Sequence, residues 1–201
     1  MPVKIIHPHH TEVVGSGLVL LSSPPITGAK RDIYTGQIVE ETALLSKSWA
    51  IIAKESKHIQ DGEEGESANS DWEKSVRDFV DEYGIKCMIV ISGTAEPGIT
   101  VKSKLDGSES EEVLDLIKSG LEPHFAVTAV VDQSRNGPSG SRSNDGGAVR
   151  SLTHSVHIIQ IDLGPEERSF WKDQIVNSVA DIVGLINAKL GFSESSSGAL
   201  G

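Results

Sequence analysis

Residues 135–168 (RNGPSGSRSNDGGAVRSLTHSVHIIQIDLGPEER) hold the densest set of side chains able to do chemistry. A run rich in glycine and arginine carries Arg135, Asn136 and Arg142. Guanidinium groups bind carboxylates bidentately, so either arginine on a glycine-bent loop suits closure over an anionic substrate. A solvated linker would have the same composition. His154 precedes an apolar run, and Asp162 lies near its far end in Ile-Gln-Ile-Asp-Leu. A bare buried carboxylate is very unfavourable, so Asp162 must be paired, hydrated or metal-bound. Arg168 is the nearest cation, and the two read either as an ion pair tying a helix to a sheet or as part of an acid–base site. The loop is no Walker A motif, because Gly-Lys-Ser/Thr is missing, and no serine sits in a Gly-x-Ser-x-Gly elbow.

Metal ligation is the second chemistry that the residues allow. His9-x-x-Glu12 has a spacing used by some zinc hydrolases, although short patterns of this kind recur by chance. His154 and His157 are three apart, so a strand would turn them to opposite faces. Cys87 is the only cysteine, which excludes an intramolecular disulfide and a cysteine-rich zinc cage. Its apolar surroundings, Cys-Met-Ile-Val-Ile, mark it as an inert buried thiol.

Composition narrows the classes further. The 201 residues carry a net charge of −11, which opposes non-specific nucleic-acid binding or docking on an anionic membrane. No segment reaches the roughly 18 apolar residues of a membrane span. The N-terminus lacks the apolar core of a signal peptide, so a soluble cytoplasmic protein is expected.

The candidate residues must be positioned by the elements around them. Residues 17–23 (GLVLLSS), 85–92 (IKCMIVIS), 125–131 (FAVTAVV) and 156–163 read as strands, the first two as runs buried on both faces. Residues 99–104 alternate and suit a fifth strand, and residues 3–14, interrupted by Pro8, suit an edge strand and loop. Helical periodicity runs from Thr35 to about Lys54, from Ser70 or Asp71 to Tyr83, over 111–118 and over 170–190. Strands alternating with helices predict a three-layer α/β domain over 1–191, with a largely parallel or mixed central sheet and helices on both faces. Mobile loops are expected at 61–70 and 133–150, and a disordered tail at 192–201. The polar segments after the strands (24–32, 92–96, 132–136 and 162–168) are expected to converge on one sheet edge.

Four segments, spread over residues 17–190, resemble the N-formylglutamate amidohydrolase family. Residues 17–28 (GLVLLSSPPITG) resemble its first strand and Pro-His-Ser-Gly turn. Arg31, Asp32 and Tyr34 are similar to its Asp-x-Tyr segment. Residues 89–94 (IVISGT) resemble the strand ending in Asp-x-His-Gly or Asp-x-His-Ser, and 156–168 resemble the Gln-x-Glu…Arg strand. The resemblance implies a carboxypeptidase-like α/β fold, zinc, and hydrolysis of small acyl-amino acids. Two departures fall on the chemistry: Pro25 and Ser92 stand where the family has metal histidines, while Asp162 replaces its glutamate. Three protein ligands are needed for catalytic zinc, so His9, Glu12 or His154 must substitute, or the fold is kept without zinc.

On this reading the chain binds a small carboxylate-bearing ligand. Asp162, with Asp32 assisting, would be catalytic; Arg135, Asn136, Arg142, Arg168 and Ser92 would hold substrate. A metal-bound or Asp162-activated water would attack an amide carbonyl. The alternative is a non-catalytic relative that keeps the fold for ligand binding or assembly.

Overall fold

The run at residues 19–23 is buried at every position, because its strand is covered on both faces. Val19 and Leu21 face one apolar layer and Leu20 faces the other. This two-sided burial organises the whole molecule. The computed structural model describes residues 3–24, 34–54, 62–103, 108–131 and 156–197.

In chain order the described elements are β1 (Val3–Ile6), β2 (His10–Val14), β3 (Val19–Ser23), α1 (Thr35–Ser46), β4 (Trp49–Ala53) and α2 (Gly62–Tyr83). Next come β5 (Cys87–Gly93), β6 (Ile99–Ser103), α3 (Ser108–Leu121), β7 (Val127–Val131), β8 (His157–Leu163), α4 (Pro165–Ser169) and α5 (Lys172–Ser197). The eight strands form one sheet in the order β1-β2-β4-β3-β5-β8-β6-β7. Strands β4, β3, β5 and β8 run parallel. The hairpin of β1 and β2 joins β4 antiparallel, and β6 joins β8 antiparallel. The mixed three-layer α/β architecture is thus the one the residue pattern predicts.

Helices α1, α3 and α5 cover one face. Ile38 and Val39, Val113 and Ile117, and Val179, Ile182 and Ile186 pack there on Leu21, Ile89, Ile91, Ile159 and Ile161. Among the described residues helix α2 alone lines the other, with Trp72, Val76, Phe79 and Val80 against Leu20, Ile51, Met88 and Ile158. Among the described residues, no helix is long and apolar enough to cross a membrane.

Several boundaries differ from expectation. The helix from Thr35 stops at Ser46, and residues 49–53 are a central strand instead of its last turns. Lys47 ends the helix in the left-handed conformation (φ 58°), its N–H bonding the carbonyl of Ala43. Glycine or asparagine is the usual sign of such an end, and lysine hides it. Because β4 is apolar on both faces, its residues also mimic a continuing helical stripe. Helix α2 starts at Gly62, so 62–70 are helical where a loop is expected; Glu63, Glu64, Glu66 and Ala68 favour a helix that Gly62 and Gly65 disguise. Helix α5 runs past Gly191 to Ser197, since an interior glycine weakens a helix without ending it. The loop expected at 133–150 lies outside the described residues, apart from its flanking strands.

Two contacts between elements are testable. A Cβ on Gly15 would lie 2.2 Å from the backbone carbon of Ser48, whereas one on the exposed, helical Gly184 would meet nothing within 4 Å. Gly15→Ala should therefore destabilise by about 1–3 kcal/mol, and Gly184→Ala should stabilise by about 0.5–1 kcal/mol; urea unfolding measures both. Between α1 and α5, Lys172 donates to both Glu41 oxygens at 2.7 and 2.8 Å. This hydrogen bond holds the Glu41 carboxyl below its usual range, partly opposed by desolvation and aided by Gln37. A depressed carboxyl stabilises the fold above its unfolded-state pKa, and that gain is lost as pH falls through the folded value. Because the pair is partly exposed, the gain should stay below about 1 kcal/mol. Lys172→Met should flatten this part of the acid-side stability profile.

Candidate functional site

Strand direction decides which polar residues can meet. The C-terminal ends of β3, β4, β5 and β8 share one edge, because these strands are parallel. The expected convergence of loops therefore holds for the ends of β3, β5 and β8. It fails for β7, which is parallel to β6 and hence runs opposite to β8. Val131 at the end of β7 and His157 at the start of β8 both lie at the edge opposite Asp162. Arg135, Asn136, Arg142 and His154 fall between them and lie outside the described residues, as does Asp32.

At the shared edge the sheet face lined by α2 turns from apolar to polar. Asp162 is opposite Ser92 on β5 and Thr100 on β6, while Gln160 is opposite Val90 and Lys102. Side chains two apart on a strand share a face, so Ser92, Gln160, Asp162 and Lys102 come together. The Ser92 hydroxyl donates to Asp162 Oδ1. The Gln160 amide donates to the same oxygen at 2.8 Å and to Ser92 Oγ at 3.3 Å. Lys102 Nζ sits 2.6 Å from Asp162 Oδ2. Asp162, 7% exposed, is thus held by three donors from three strands, which offsets the loss of water around its charge.

The partner of Asp162 is Lys102, not Arg168. The Arg168 guanidinium instead donates from one nitrogen to the carbonyls of Thr94 and Leu163, each at 2.9 Å. It is 8% exposed and ties the end of β5 to the end of β8. Gly164, at the start of α4, leaves space for this turn; a Cβ there would lie 2.8 Å from the carbonyl oxygen of Glu96. The sequence reading missed Lys102 altogether. Alternation in ITVKS makes Thr100 and Lys102 neighbours on one face, but nothing local shows that this face meets Asp162.

A second cluster sits at the β1–β2 hairpin. His10 Nε2 lies 3.0 Å from Glu12 Oε1, and His7 Nε2 lies 3.1 Å from Glu12 Oε2. His7, His10 and Glu12 each offer a ligand atom, all within 4.8 Å of one another. His9 is exposed and outside this group. His9 precedes β2, and within that strand His10 and Glu12, two apart, share a face, so the group forms around His10-x-Glu12 and not His9-x-x-Glu12. Cys87 is fully buried, and desolvation pushes its thiol up to about 12, which fits an inert core residue.

Removing the Arg168 side chain would leave two interior carbonyls without their charged donor. Arg168→Ala should destabilise by about 2–3 kcal/mol, and Arg168→Lys should recover only part, since one ammonium does not reproduce the planar guanidinium. Thermal and urea unfolding of the two variants measure this.

No family model matches the chain, and no curated protein matches it in sequence. Its fold, however, is shared with solved structures. A gene product of Agrobacterium tumefaciens aligns with a TM-score of 0.61 at 10% identity, over 90% of this chain and 94% of that one. A bacteriophage poly-gamma-glutamate hydrolase gives 0.56 at 12% identity, over 92% and 91%. The N-formylglutamate amidohydrolase of Ralstonia eutropha gives 0.55 at 9% identity, over 92% and 99%. At such identities the likeness establishes a common α/β fold, one that includes amidohydrolases.

Proposed function

We propose that the polar end of the α2-lined face binds a small carboxylate-bearing molecule of the acyl-amino-acid type, without hydrolysing it through Asp162. The three donors already engaged by Asp162 carry this reading. A carboxylate offers about four lone-pair positions, and Ser92, Gln160 and Lys102 take three of them. A general base needs a free position within reach of the attacking water's proton, and only one remains on Asp162, whose Oδ2 already has Lys102 Nζ at 2.6 Å.

The same set suits binding. Lys102, 40% exposed at its side chain, has three N–H donors, and only one is needed by Asp162. The others can meet a ligand carboxylate, while the Ser92 hydroxyl and the Gln160 amide suit a ligand amide. Two fold neighbours are named for glutamate-derived compounds, which motivates N-acetylglutamate as the probe. Arg135, Arg142 and Asn136 are proposed as further holding groups from the chain between β7 and β8. Arg168 supports the site from below by fixing its backbone.

Zinc does not fit this set. A hydroxyl, an amide, an ammonium and one carboxylate include neither the imidazole nor the thiolate that zinc sites use. The chain is on this reading a binding protein with an amidohydrolase-like fold.

Calorimetric titration of N-acetylglutamate tests it, with proton NMR following release of acetate. Binding should weaken about 10- to 100-fold in Lys102→Met, as expected for one charged hydrogen bond, with no acetate released. Equal affinity in Lys102→Met, absence of binding in the wild type, or acetate release that vanishes in Asp162→Asn would each overturn the proposal.

A further inference from the structure

The hairpin cluster has no role in the proposed ligand site, and it lies too far away to share one small molecule with it. Glu12 is opposite Ile51, Ile51 opposite Ser22, Ser22 opposite Val90, and Val90 opposite Gln160. All five therefore stand in one row on one face. Four strand spacings separate Glu12 from Gln160, about 19 Å. The resemblance to N-formylglutamate amidohydrolases puts metal histidines at sequence positions 25 and 92, and the hairpin cluster includes neither.

We infer that His7, His10 and Glu12 form a binding site for a divalent metal ion of the zinc class. The geometry brings two imidazoles and a carboxylate onto one point from both sides of a tight turn. The N–H of His7 bonds the carbonyl of His10 at 2.9 Å, closing that turn. The end of β4 holds it from outside: the backbone N–H of Lys54 donates to the carbonyl of His9 at 2.9 Å, and the Lys54 ammonium donates to that of His7. Ser75 of α2 approaches His10 Nε2 at 3.1 Å. Hairpin, sheet and helix together fix the cluster.

An ion pair alone does not account for the arrangement. Each imidazole faces its own Glu12 oxygen, and the two rings stack at 4.4 Å between centroids, so all three groups crowd one point. The His10 side chain is more than nine-tenths buried, yet its Nδ1 has no hydrogen-bond partner. His7 Nε2 is within ion-pair distance of Glu12 but outside hydrogen-bond geometry. Buried polar atoms without partners are uncommon and call for an explanation such as a bound ion. Among the described residues five such atoms occur, and two are in this cluster.

The donor set selects the ion. Two imidazole nitrogens and one carboxylate suit zinc, cobalt or nickel, whereas magnesium and calcium take oxygen ligands almost throughout. Tetrahedral ligands at about 2.0–2.1 Å from zinc stand roughly 3.4 Å apart. The present spread of up to 4.8 Å closes by rotation about the broad χ2 torsions of the two rings. Three protein ligands leave a fourth position, and the partly exposed His7 side is the one water can reach.

Cobalt(II) tests the site directly, because its four-coordinate complexes absorb visibly where hexaaqua cobalt barely does. The whole chain, freed of metal by chelator and dialysis, should take up about one cobalt per molecule with that visible band, and zinc should displace it. His7→Ala, His10→Ala and Glu12→Gln should each weaken binding by about tenfold or more, while His9→Ala should keep the stoichiometry and the band. His7 is at the open side, so His7→Ala should stay folded by circular dichroism and separates lost ligation from lost structure. No uptake of cobalt or zinc by the wild type overturns the inference. So does uptake that is equal in wild type, His7→Ala and His10→Ala, which would mark adventitious surface binding.

Discussion

The candidate ligand site depends on how β8 is paired. It runs parallel to β5 on one side and antiparallel to β6 on the other, with Asp162 opposite Ser92 and Thr100 at once. A carboxylate 7% exposed is tolerable only with donors in place, and this pairing supplies them from both neighbours. A slip of one residue on either side would turn the facing side chains to the other layer. The Asp162 cluster and the registers of the three strands therefore specify each other. Reversal at β6 has a second effect: β7, parallel to β6, leaves the sheet at the far edge.

Unequal coverage of the two faces explains where the polar residues lie. Three helices pack on the layer built from Leu21, Ile89, Ile91, Ile159 and Ile161, and that layer stays apolar to the C-terminal end of β8 at Leu163. On the opposite face the strands start apolar, at Leu20, Met88 and Ile158, where Trp72, Val76 and Phe79 of α2 pack. They finish polar at Ser92, Gln160 and Asp162. Desolvated apolar area stabilises only where another element covers it, so the change in side-chain type along each strand marks the end of the apolar cover. The candidate ligand site occupies the half of the face that packing does not need.

Much of this was readable from residue types, and the failures have definite physical causes. Strands β3, β5 and β8 are recognisable because burial on both faces makes them continuous apolar runs. Asp162 stands out as a charge inside such a run. Its partner does not, since Lys102 lies 60 residues away in sequence (162 minus 102) and only the register of β6 on β8 selects it over Arg168. Strand β4 was hidden by a left-handed lysine in place of glycine. The choice of His10 over His9 follows from strand parity, which requires knowing that β2 begins at His10. Local signals thus identify elements and candidate charges, whereas pairing across the sheet decides which charges meet.

The two clusters on the α2-lined face also constrain each other's chemistry. Asp162 has an ammonium, a hydroxyl and an amide beside it, and Glu12 has two imidazoles. They stand in one row about 19 Å apart by strand spacing, with the buried Ile51 and Ser22 between them and the Ser22 hydroxyl already bonded to the carbonyl of Ile51. An acyl-amino acid is too short to bridge that distance. A metal-bound water at the hairpin could not reach an amide held at Lys102, because reacting atoms must approach to about 3–3.5 Å. On the two proposals, ion binding and carboxylate binding are kept apart, and combining them in one hydrolytic centre would require a different strand order between β2 and β8.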